Sequence, residues 1–337
     1  MNILIFGKDG QLGKAFKAIF TKRVEGQYRI HYVGRAECDL ASADAIAALL
    51  NQIEPNLIIN AAAYTAVDKA ETEIDLAFAI NAKAPEVMAQ YAAANGASLL
   101  HYSTDYVFDG SKDGFYTEDD PRNPLGVYGK SKAAGEDAIE KTFANLPVRS
   151  QSQSHAQFAI FRTSWVYGDG GNFIRTILRL AKEREELRII SDQHGVPTSA
   201  EWLAKVSLDL ALTKDGQIKP FPSGIYHAVP SGQTTWHGLA TLAVQAAGKA
   251  GTPLKAKPEA IKPILAVDYP LPAPRPMNSR MATDKLRSAL VGQSQAPADP
   301  SADTYSTYND SFRASGFPSW DGMVREYINK FAAEKEI

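Results

Sequence analysis

Three residues in the first half of the chain have the types and the spacing that carbonyl chemistry needs. Tyr128 and Lys132 are four residues apart, so a helix would place a phenol and an ammonium on one face, one turn apart. Thr104 follows an apolar run that indicates a strand, and open α/β sheets bind ligands at the carboxyl ends of their strands. A carbonyl that accepts a hydride builds negative charge on its oxygen, which needs a proton donor and a second hydrogen bond. We therefore predict carbonyl reduction, with Thr104, Tyr128 and Lys132 as the catalytic residues.

The roles of the two helical residues follow from their acidities. A free phenol has a pKa of about 10. A neighbouring ammonium favours the phenolate, so Lys132 is expected to lower the pKa of Tyr128 and also to hold the ribose of a nicotinamide cofactor. The four-residue spacing alone is equally compatible with a pair on a helix surface, so the prediction depends on a source of hydride elsewhere in the chain.

A glycine-rich turn at the start of the chain supplies that source. Gly7, Gly10 and Gly13 follow a short apolar run and precede a helical pattern. In such a turn the first glycine leaves the strand, the second admits a pyrophosphate, and the third lets the helix pack closely, with free N–H groups facing the phosphates. A tight turn without a ligand is the alternative. The predicted cofactor contacts are Gly7, Asp9, Gly10, Gln11, Leu12, Gly13, Arg35, Asp39, Leu40, Ala61, Ala62, Ala63, Tyr64, Asn81, Tyr128 and Lys132.

Arg35 bears on which nicotinamide cofactor the turn would bind. It follows the second predicted strand, where a NAD-preferring site has an acidic residue for the ribose 2′-hydroxyl. A guanidinium can pair with a 2′-phosphate instead, so Arg35 favours NADPH. NADH remains an alternative, because a solvated surface arginine would look the same in the sequence.

Short apolar runs alternate with helical patterns through the first half, which predicts a Rossmann-type, doubly wound parallel sheet. The predicted strands are Ile3–Phe6, Tyr28–Val33, Leu57–Asn60, Ser98–Tyr102 and Phe158–Phe161, and the predicted helices are Gln11–Phe20, Ser42–Gln52, Glu73–Asn95 and Tyr128–Phe143. Proline is frequent from Lys219 onward, which indicates loops and short elements around a ligand. We predict a cofactor-binding domain over 1–166, with 196–220 returning to it, and a smaller, mostly C-terminal substrate region over 167–195 and 221–337.

Composition excludes several classes of function. The 337 residues carry 36 basic and 38 acidic side chains, so a net charge of −2 does not suit coating nucleic acid or an anionic membrane. Cys38 is the single cysteine, and the six histidines lack zinc-ligand spacing, so we expect no disulfide and no metal site. No apolar run is long enough for a secretory signal or a membrane span, which predicts a cytoplasmic protein.

Seven further motifs extend this pattern along nearly the whole chain. They are Asn60–Glu71 (continuing to Asn81), Ser103–Gly110, Tyr128–Lys132, Arg162–Gly168, Asp192–Thr198, Gly224–His227 and Arg275–Arg280. Together with the glycine turn they resemble the extended branch of the short-chain dehydrogenase/reductase superfamily and, within it, the dTDP-4-dehydrorhamnose reductase family.

The resemblance implies a reaction and a set of substrate contacts. NADPH would deliver a hydride to C4 of dTDP-4-dehydro-6-deoxy-L-mannose and give dTDP-L-rhamnose, a precursor of bacterial surface polysaccharide. Tyr128 would protonate the C4 oxygen and Thr104 would hydrogen-bond it. The residues implied to contact the substrate are Thr104, Asp105, Tyr106, Trp165, Asn172, Arg175 and Arg280. For the last four, an ordinary structural role is the alternative: core packing for Trp165, helix-start chemistry for Asn172 and Arg175, and a salt bridge for Arg280.

The resemblance also leaves alternatives. Some relatives form dimers through magnesium bound by glutamates, one of them early in the first helix; Lys14, Ala15 and Lys17 stand there, so magnesium is doubtful and the chain is expected to be a monomer or a homodimer. The tracts Ser150–His155 and Gly292–Thr307 resemble insertions. Another nucleotide-sugar epimerase or reductase is one competing function, although a dehydratase would have glutamate where Tyr106 stands. A non-catalytic NADP-binding regulatory subunit is the other.

Overall fold

A six-stranded, fully parallel sheet forms the centre of the molecule. The computed structural model describes residues 1–22, 28–145, 156–292 and 316–333. Within them the strands, in chain order, are β1 Asn2–Phe6, β2 Arg29–Val33, β3 Leu57–Asn60, β4 Ser98–Thr104, β5 Gln157–Thr163, β6 Val166–Tyr167, β7 Leu187–Ile190, β8 His194–Gly195, β9 Thr198–Ser199, β10 Gly224–His227, β11 Thr234–Thr235 and β12 Ile261–Ile264. The central sheet has the order β10-β5-β4-β3-β1-β2, and all of its neighbours pair in parallel. The predicted doubly wound parallel sheet is confirmed.

Helices cover both faces of this sheet. In chain order they are α1 Gln11–Thr21, α2 Ala43–Ile53, α3 Val67–Ala70, α4 Ile74–Phe78, α5 Ala84–Asn95, α6 Val127–Ala144, α7 Phe173–Glu183, α8 Ala200–Ala211, α9 Trp236–Lys249, α10 Asp284–Gly292 and α11 Trp320–Ala333. Every side chain of β3, β4 and β5 is buried, as parallel strands between two helical layers require. One apolar cluster joins the sheet to α1 and α8, and a second joins its other face to α2, α5 and α6.

The five predicted strands are confirmed, and β4 runs two residues further than predicted, to Thr104. The helix predicted over Glu73–Asn95 is helical but interrupted. A π-helical turn at Ala79–Lys83 separates α4 from α5. It contains Asn81, whose buried side chain bonds both backbone groups of Tyr64, with Oδ1 accepting from the amide (2.9 Å) and Nδ2 donating to the carbonyl (3.0 Å).

The second half builds a separate apolar cluster among α7, α9 and α11, beside the two-stranded β7–β12 sheet. It also returns twice to the central sheet. Strand β10 pairs with β5 at the sheet edge, and α8 packs on α1. The proposed division into two domains remains a prediction, with β10 lying in the range assigned to the substrate region.

Two predicted features lie wholly or largely outside the described residues. They are the tract Ser150–His155 and the stretch Gly292–Thr307. Of the second, only Gly292, the last residue of α10, is among the described residues. Among the described residues, no helix combines the length and apolarity needed to cross a bilayer.

Candidate active site

A cavity of about 1030 Å³ opens at the carboxyl ends of the central strands. It brings the predicted cofactor residues and the predicted catalytic residues to one place. The predicted residues that line it are Gly7, Asp9, Gly10, Gln11, Leu12, Arg35, Asp39, Leu40, Ala61, Ala62, Ala63, Tyr64, Thr104, Asp105, Tyr106, Tyr128, Lys132 and Trp165. Its volume is in the upper range of ligand pockets, as a dinucleotide and a second ligand together would need.

The glycine turn shapes one end of this cavity. Gly10 N donates to Gly7 O (3.0 Å), and α1 begins at the next residue. Gly13 is packed against the turn so closely that a Cβ there would lie 2.1 Å from Gly7 O. No side chain caps α1, and its first turn carries no acidic residue. The free N–H groups of the helix therefore remain available to an anion in the cavity.

An ion pair that the sequence did not reveal lies beside Arg35. The carboxylate of Glu37 accepts hydrogen bonds from Lys8 Nζ and from Gly34 N (2.7 Å). The hydrogen bond from Lys8 is the main reason that the pKa of Glu37 is lowered. Arg35 itself is exposed at the cavity rim and is accessible to a phosphate there.

Two elements bring the predicted catalytic residues together. Thr104 ends β4, and Tyr128 lies in the first turn of α6 with Lys132 one turn later. Thr104 Oγ1 donates to Asp105 Oδ1 (2.9 Å) and accepts from Tyr106 N (3.2 Å). Desolvation raises the pKa of Tyr128 to about 12, and a hydrogen bond with Thr104 offsets only part of that rise. The spacing to Lys132 predicts a lowered pKa for Tyr128, whereas burial raises it.

Lys132 points into the protein rather than toward solvent. Its side chain is fully buried, and Nζ donates to the carbonyl of Tyr102 (2.6 Å). His101 Nε2 lies 3.3 Å from the same Nζ, and His101 Nδ1 lies 3.0 Å from Asn60 Nδ2. Burial lowers the pKa of Lys132 to about 8, although the negative charge of Glu136 opposes the shift.

A buried ion pair links α6 to strand β5. Glu136, one turn after Lys132, accepts from Arg162 on β5 through Nη2 (2.7 Å) and Nε (3.0 Å). Arg122 Nη1 reaches the same carboxylate (2.9 Å). Two guanidinium groups hold the pKa of Glu136 low despite its burial. The carboxylate is thus kept ionised and fixes the catalytic helix against the sheet.

Comparison with known proteins identifies the family. A family model described as the RmlD substrate binding domain matches residues 1–299. A dTDP-4-dehydrorhamnose reductase of Escherichia coli K12 is 44% identical over 301 residues, which cover 86% of this chain and 93% of the relative. The chain belongs to the dTDP-4-dehydrorhamnose reductase family.

Solved structures agree with this membership in the family. A dTDP-4-dehydrorhamnose reductase of Clostridium acetobutylicum superposes with a TM-score of 0.77 at 30% identity, covering 98% of this chain and 99% of that one. The reductase of Bacillus anthracis, crystallised in complex with NADP, gives 0.75 at 28% identity with the same coverage. A dTDP-glucose 4,6-dehydratase of Bacillus anthracis, at 15% identity and a TM-score of 0.69, shares the fold alone.

The pair Trp165 and Trp236 forms an aromatic part of the cavity wall in this dTDP-4-dehydrorhamnose reductase family member. Their rings stack with centroids 3.7 Å apart and an interplanar angle of 18°, and both residues line the cavity. Trp236 begins α9 and was missed in the sequence, because nothing local to it indicates a contact with Trp165. The stacked pair offers an apolar wall on which a flat ligand group can lie.

Five predicted site residues of the family member lie outside the cavity lining: Gly13, Asn81, Asn172, Arg175 and Arg280. Asn172 caps α7, where Oδ1 accepts from Arg175 N (3.1 Å). The Arg175 guanidinium lies 4.0 Å above the Phe331 ring. Arg280 Nε donates to Asn278 Oδ1 (2.7 Å). All three side chains make contacts within the protein, and their substrate contacts remain predictions.

Among the described residues, no group of three or more His, Cys, Asp or Glu side chains is placed to hold a metal ion. Cys38 is buried and lines the cavity beside Asp39.

Proposed function

We propose that this protein reduces the C4 keto group of dTDP-4-dehydro-6-deoxy-L-mannose with NADPH to give dTDP-L-rhamnose. The observation that carries the proposal is the convergence of Thr104, Tyr128 and Lys132 in one cavity with the glycine turn. Membership in the dTDP-4-dehydrorhamnose reductase family supports the substrate, and the NADP-bound relative from Bacillus anthracis supports the cofactor.

The residues present fit a nicotinamide dinucleotide. The uncapped start of α1 suits the pyrophosphate, and the small side chains Ala61, Ala62 and Ala63 leave room for a flat group against the sheet. Arg35 would pair with a 2′-phosphate and Lys132 with the nicotinamide ribose. When bound, NADPH supplies the hydride.

The protein's own groups would handle the charge that the hydride creates. Tyr128, whose raised pKa keeps the phenol protonated at neutral pH, would donate its proton to the C4 oxygen. Thr104 would hydrogen-bond that oxygen, and the buried ammonium of Lys132 would stabilise the resulting phenolate. Asp105, Tyr106 and Trp165 would contact the sugar nucleotide around the reacting carbon.

The setting of this chemistry is also proposed. We place the protein in the cytoplasm, as a monomer or a homodimer, with a small-molecule substrate and without nucleic-acid or membrane partners. A near-neutral charge and the absence of a membrane-spanning helix among the described residues support this assignment.

The decisive test follows NADPH oxidation with dTDP-4-dehydro-6-deoxy-L-mannose as substrate. The wild type is expected to oxidise NADPH, and Tyr128→Phe is expected to lower kcat about 10²- to 10⁴-fold, the usual contribution of a general acid. NADPH binding, measured by fluorescence, should be retained. Tyr269→Phe, at a 58% exposed position outside the cavity lining, is the matched control.

Three results would count against the proposal. Undiminished activity in Tyr128→Phe would exclude the assigned proton donor. NADPH binding without oxidation would favour the regulatory alternative or another nucleotide sugar. Cofactor retained through purification would favour an epimerase. A parallel series with NADH tests the preference read from Arg35.

A further inference from the structure

The ammonium of Lys132 has two contacts with residues of β4. One N–H donates to Tyr102 O (2.6 Å), and His101 Nε2 lies 3.3 Å away. An ammonium has three N–H donors in a tetrahedral arrangement. If β4 takes two of them, the third remains for a ligand in the cavity that Lys132 lines.

His101 is built to accept rather than to donate at that contact. Its side chain is 1% exposed, and burial together with the positive charge of Lys132 holds its pKa well below the usual value, so the imidazole is neutral. A neutral imidazole has one N–H and one lone pair. With an ammonium at Nε2, the lone pair must be there and the proton must be on Nδ1.

Asn60 completes this arrangement from the neighbouring strand. Its side-chain amide, 1% exposed, lies 3.0 Å from His101 Nδ1. Rotation of an amide by 180° exchanges its oxygen and nitrogen, so Asn60 can accept from the Nδ1 proton. The series Asn60, His101, Lys132 then runs across β3, β4 and α6, with the Nδ1 proton facing the amide oxygen and the ammonium facing the Nε2 lone pair. In this orientation Asn60 gives up the longer bond, 3.3 Å, that its Oδ1 accepts from Ala62 N.

We propose that His101 is a positioning residue for Lys132. Its neutral imidazole accepts a hydrogen bond from the ammonium and, with the carbonyl of Tyr102, directs the remaining N–H into the catalytic cavity. The inference deepens the proposed function, since the role of Lys132 in reduction rests on it.

The other charged or titratable groups around Lys132 do not replace His101. Glu136 follows one turn later on α6, but its carboxylate is bound by Arg162 of β5 and by Arg122. Tyr128, on the preceding turn, is neutral at ordinary pH. Asp105, beyond the end of β4, is bonded to Thr104. His101 therefore provides the neutral side-chain acceptor that the buried ammonium contacts directly, beside the backbone carbonyl of Tyr102.

The test compares two substitutions. His101→Leu removes the acceptor with an apolar side chain of similar volume, whereas His101→Gln can place an oxygen near the former Nε2. Without the acceptor the ammonium is less favoured, so the pKa of Lys132 falls. A hydrogen bond to a charged group corresponds to about one pKa unit or more. We expect the alkaline limb of kcat/KM to move about one unit lower in His101→Leu, with kcat reduced about tenfold, and His101→Gln to restore most of both.

A second measurement is independent of turnover. NMR of protein with ¹³C-labelled lysine Cε, with the Lys132 signal assigned by loss in Lys132→Arg, gives the pKa of Lys132 directly. We expect it about one unit lower in His101→Leu than in the wild type and nearly unchanged in His101→Gln. If His101→Leu does not fold, His101→Met serves the same comparison.

The outcomes separate this inference from the proposed function. The inference is overturned if His101→Leu folds and the pKa of Lys132 is unchanged. It is also overturned if His101→Leu lowers the melting temperature while the pH profile of kcat/KM stays the same. A shifted Lys132 pKa in a protein that does not reduce the sugar nucleotide overturns the proposed function and leaves the role of His101 toward Lys132 in place.

Discussion

The carboxyl of Asp105 lies buried beside Thr104, and its ionisation should be visible in the stability of the protein. Burial raises its pKa from 3.8 to about 6. A group with a raised folded-state pKa contributes stability that is full below the unfolded-state value and is lost as pH rises through the folded-state value. The shift of about two units corresponds to about 3 kcal/mol lost between pH 4 and pH 7.

Asp105→Asn removes that loss, because an amide does not ionise. We expect the free energy of unfolding of the variant, relative to the wild type, to rise by up to about 3 kcal/mol from pH 4 to pH 7 in denaturant titrations. Asp109→Asn is the control: hydrogen bonds from Ser111 lower the pKa of Asp109 to about 2, so its effect should be constant over that range apart from a small change near pH 4. A constant difference for Asp105→Asn would contradict the prediction.

Single residues differ in how far the sequence reveals them. Thr104, Tyr128 and Lys132 could be predicted, because their types and their places after a strand and along one helix face are local properties. His101, Trp236 and Glu37 could not. The partners of His101 and Trp236 are distant in the chain, and Glu37 adds to its local bond with Gly34 N an ion pair with Lys8, 29 residues away. These long-range contacts exist only because separate segments pack beside one another. The same holds for the pKa of Tyr128, which burial determines rather than the spacing to Lys132.

At the scale of elements, the start of α6 depends on a residue that directly follows α3. Glu71, just after α3, accepts from Val127 N through Oε1 (2.8 Å), and Gly126 itself provides no side-chain cap. A carboxylate at a helix N-terminus both satisfies a free N–H and offsets the helix dipole. Since Tyr128 is in this first turn, Glu71 also fixes the catalytic phenol.

Glu71→Ala is expected to cost about 1 kcal/mol of unfolding free energy, the usual cost of losing a cap, and to lower kcat while leaving NADPH binding intact. Glu71→Gln, which keeps an acceptor, should recover much of the activity. Denaturant unfolding and NADPH-oxidation kinetics measure the two effects. Glu86→Ala, at a surface pair with Lys83, is the control. Equal effects of Glu71→Ala and Glu86→Ala would refute the assignment.

The elements themselves were predictable where the apolar pattern is strong. Parallel strands covered on both faces are rich in apolar residues, so β1, β3, β4 and β5 were evident. The edge strand β2 is mostly half-buried and carries a weaker form of the same pattern. The π turn at Ala79–Lys83 was not, because one extra residue in a helical turn leaves no signature in an alanine-rich segment. Two-residue strands such as β6 and β9 form only because the chain brings them together, and no local pattern indicates them.

Across the whole molecule, one ion pair joins segments 207 residues apart. Arg275 donates to Asp68 through Nη1 (2.7 Å) and Nη2 (2.8 Å), and Asp68 also accepts from Ala273 N (3.1 Å). This bidentate pair connects α3 with the segment that passes beside Tyr106, which hydrogen-bonds Arg275. It thereby couples the cofactor side of the cavity to the proposed substrate side.

A double-mutant cycle with Asp68→Asn and Arg275→Gln should give a coupling energy of about 1 kcal/mol, because the pair is bidentate and only partly exposed. Each single variant should also raise KM for the sugar nucleotide more than KM for NADPH. The exposed pair Lys83–Glu86 is the control, with a coupling below about 0.5 kcal/mol. Additive effects of Asp68→Asn and Arg275→Gln would show that the two segments are not coupled.

The sequence was least informative about how the second half completes the first. The sixth strand, β10, was absent from the predicted strands because only Ile225 and Tyr226 of its four residues are apolar and prolines stand on both sides of it. Its place is fixed by pairing with β5, whose seven buried residues need a neighbour on that side. Such long-range completion has no local signal.

The order of the central sheet also has a consequence for the chain as it leaves the ribosome. All residues proposed for catalysis, and the first five strands, are synthesised before residue 164, yet β5 stays an open sheet edge until β10 emerges some 60 residues later. An unpaired edge of apolar residues is a site for association with other chains. Nascent chains that pause between β5 and β10 would therefore expose this edge. We expect chaperone binding during this interval to reduce association of the exposed edge with other chains.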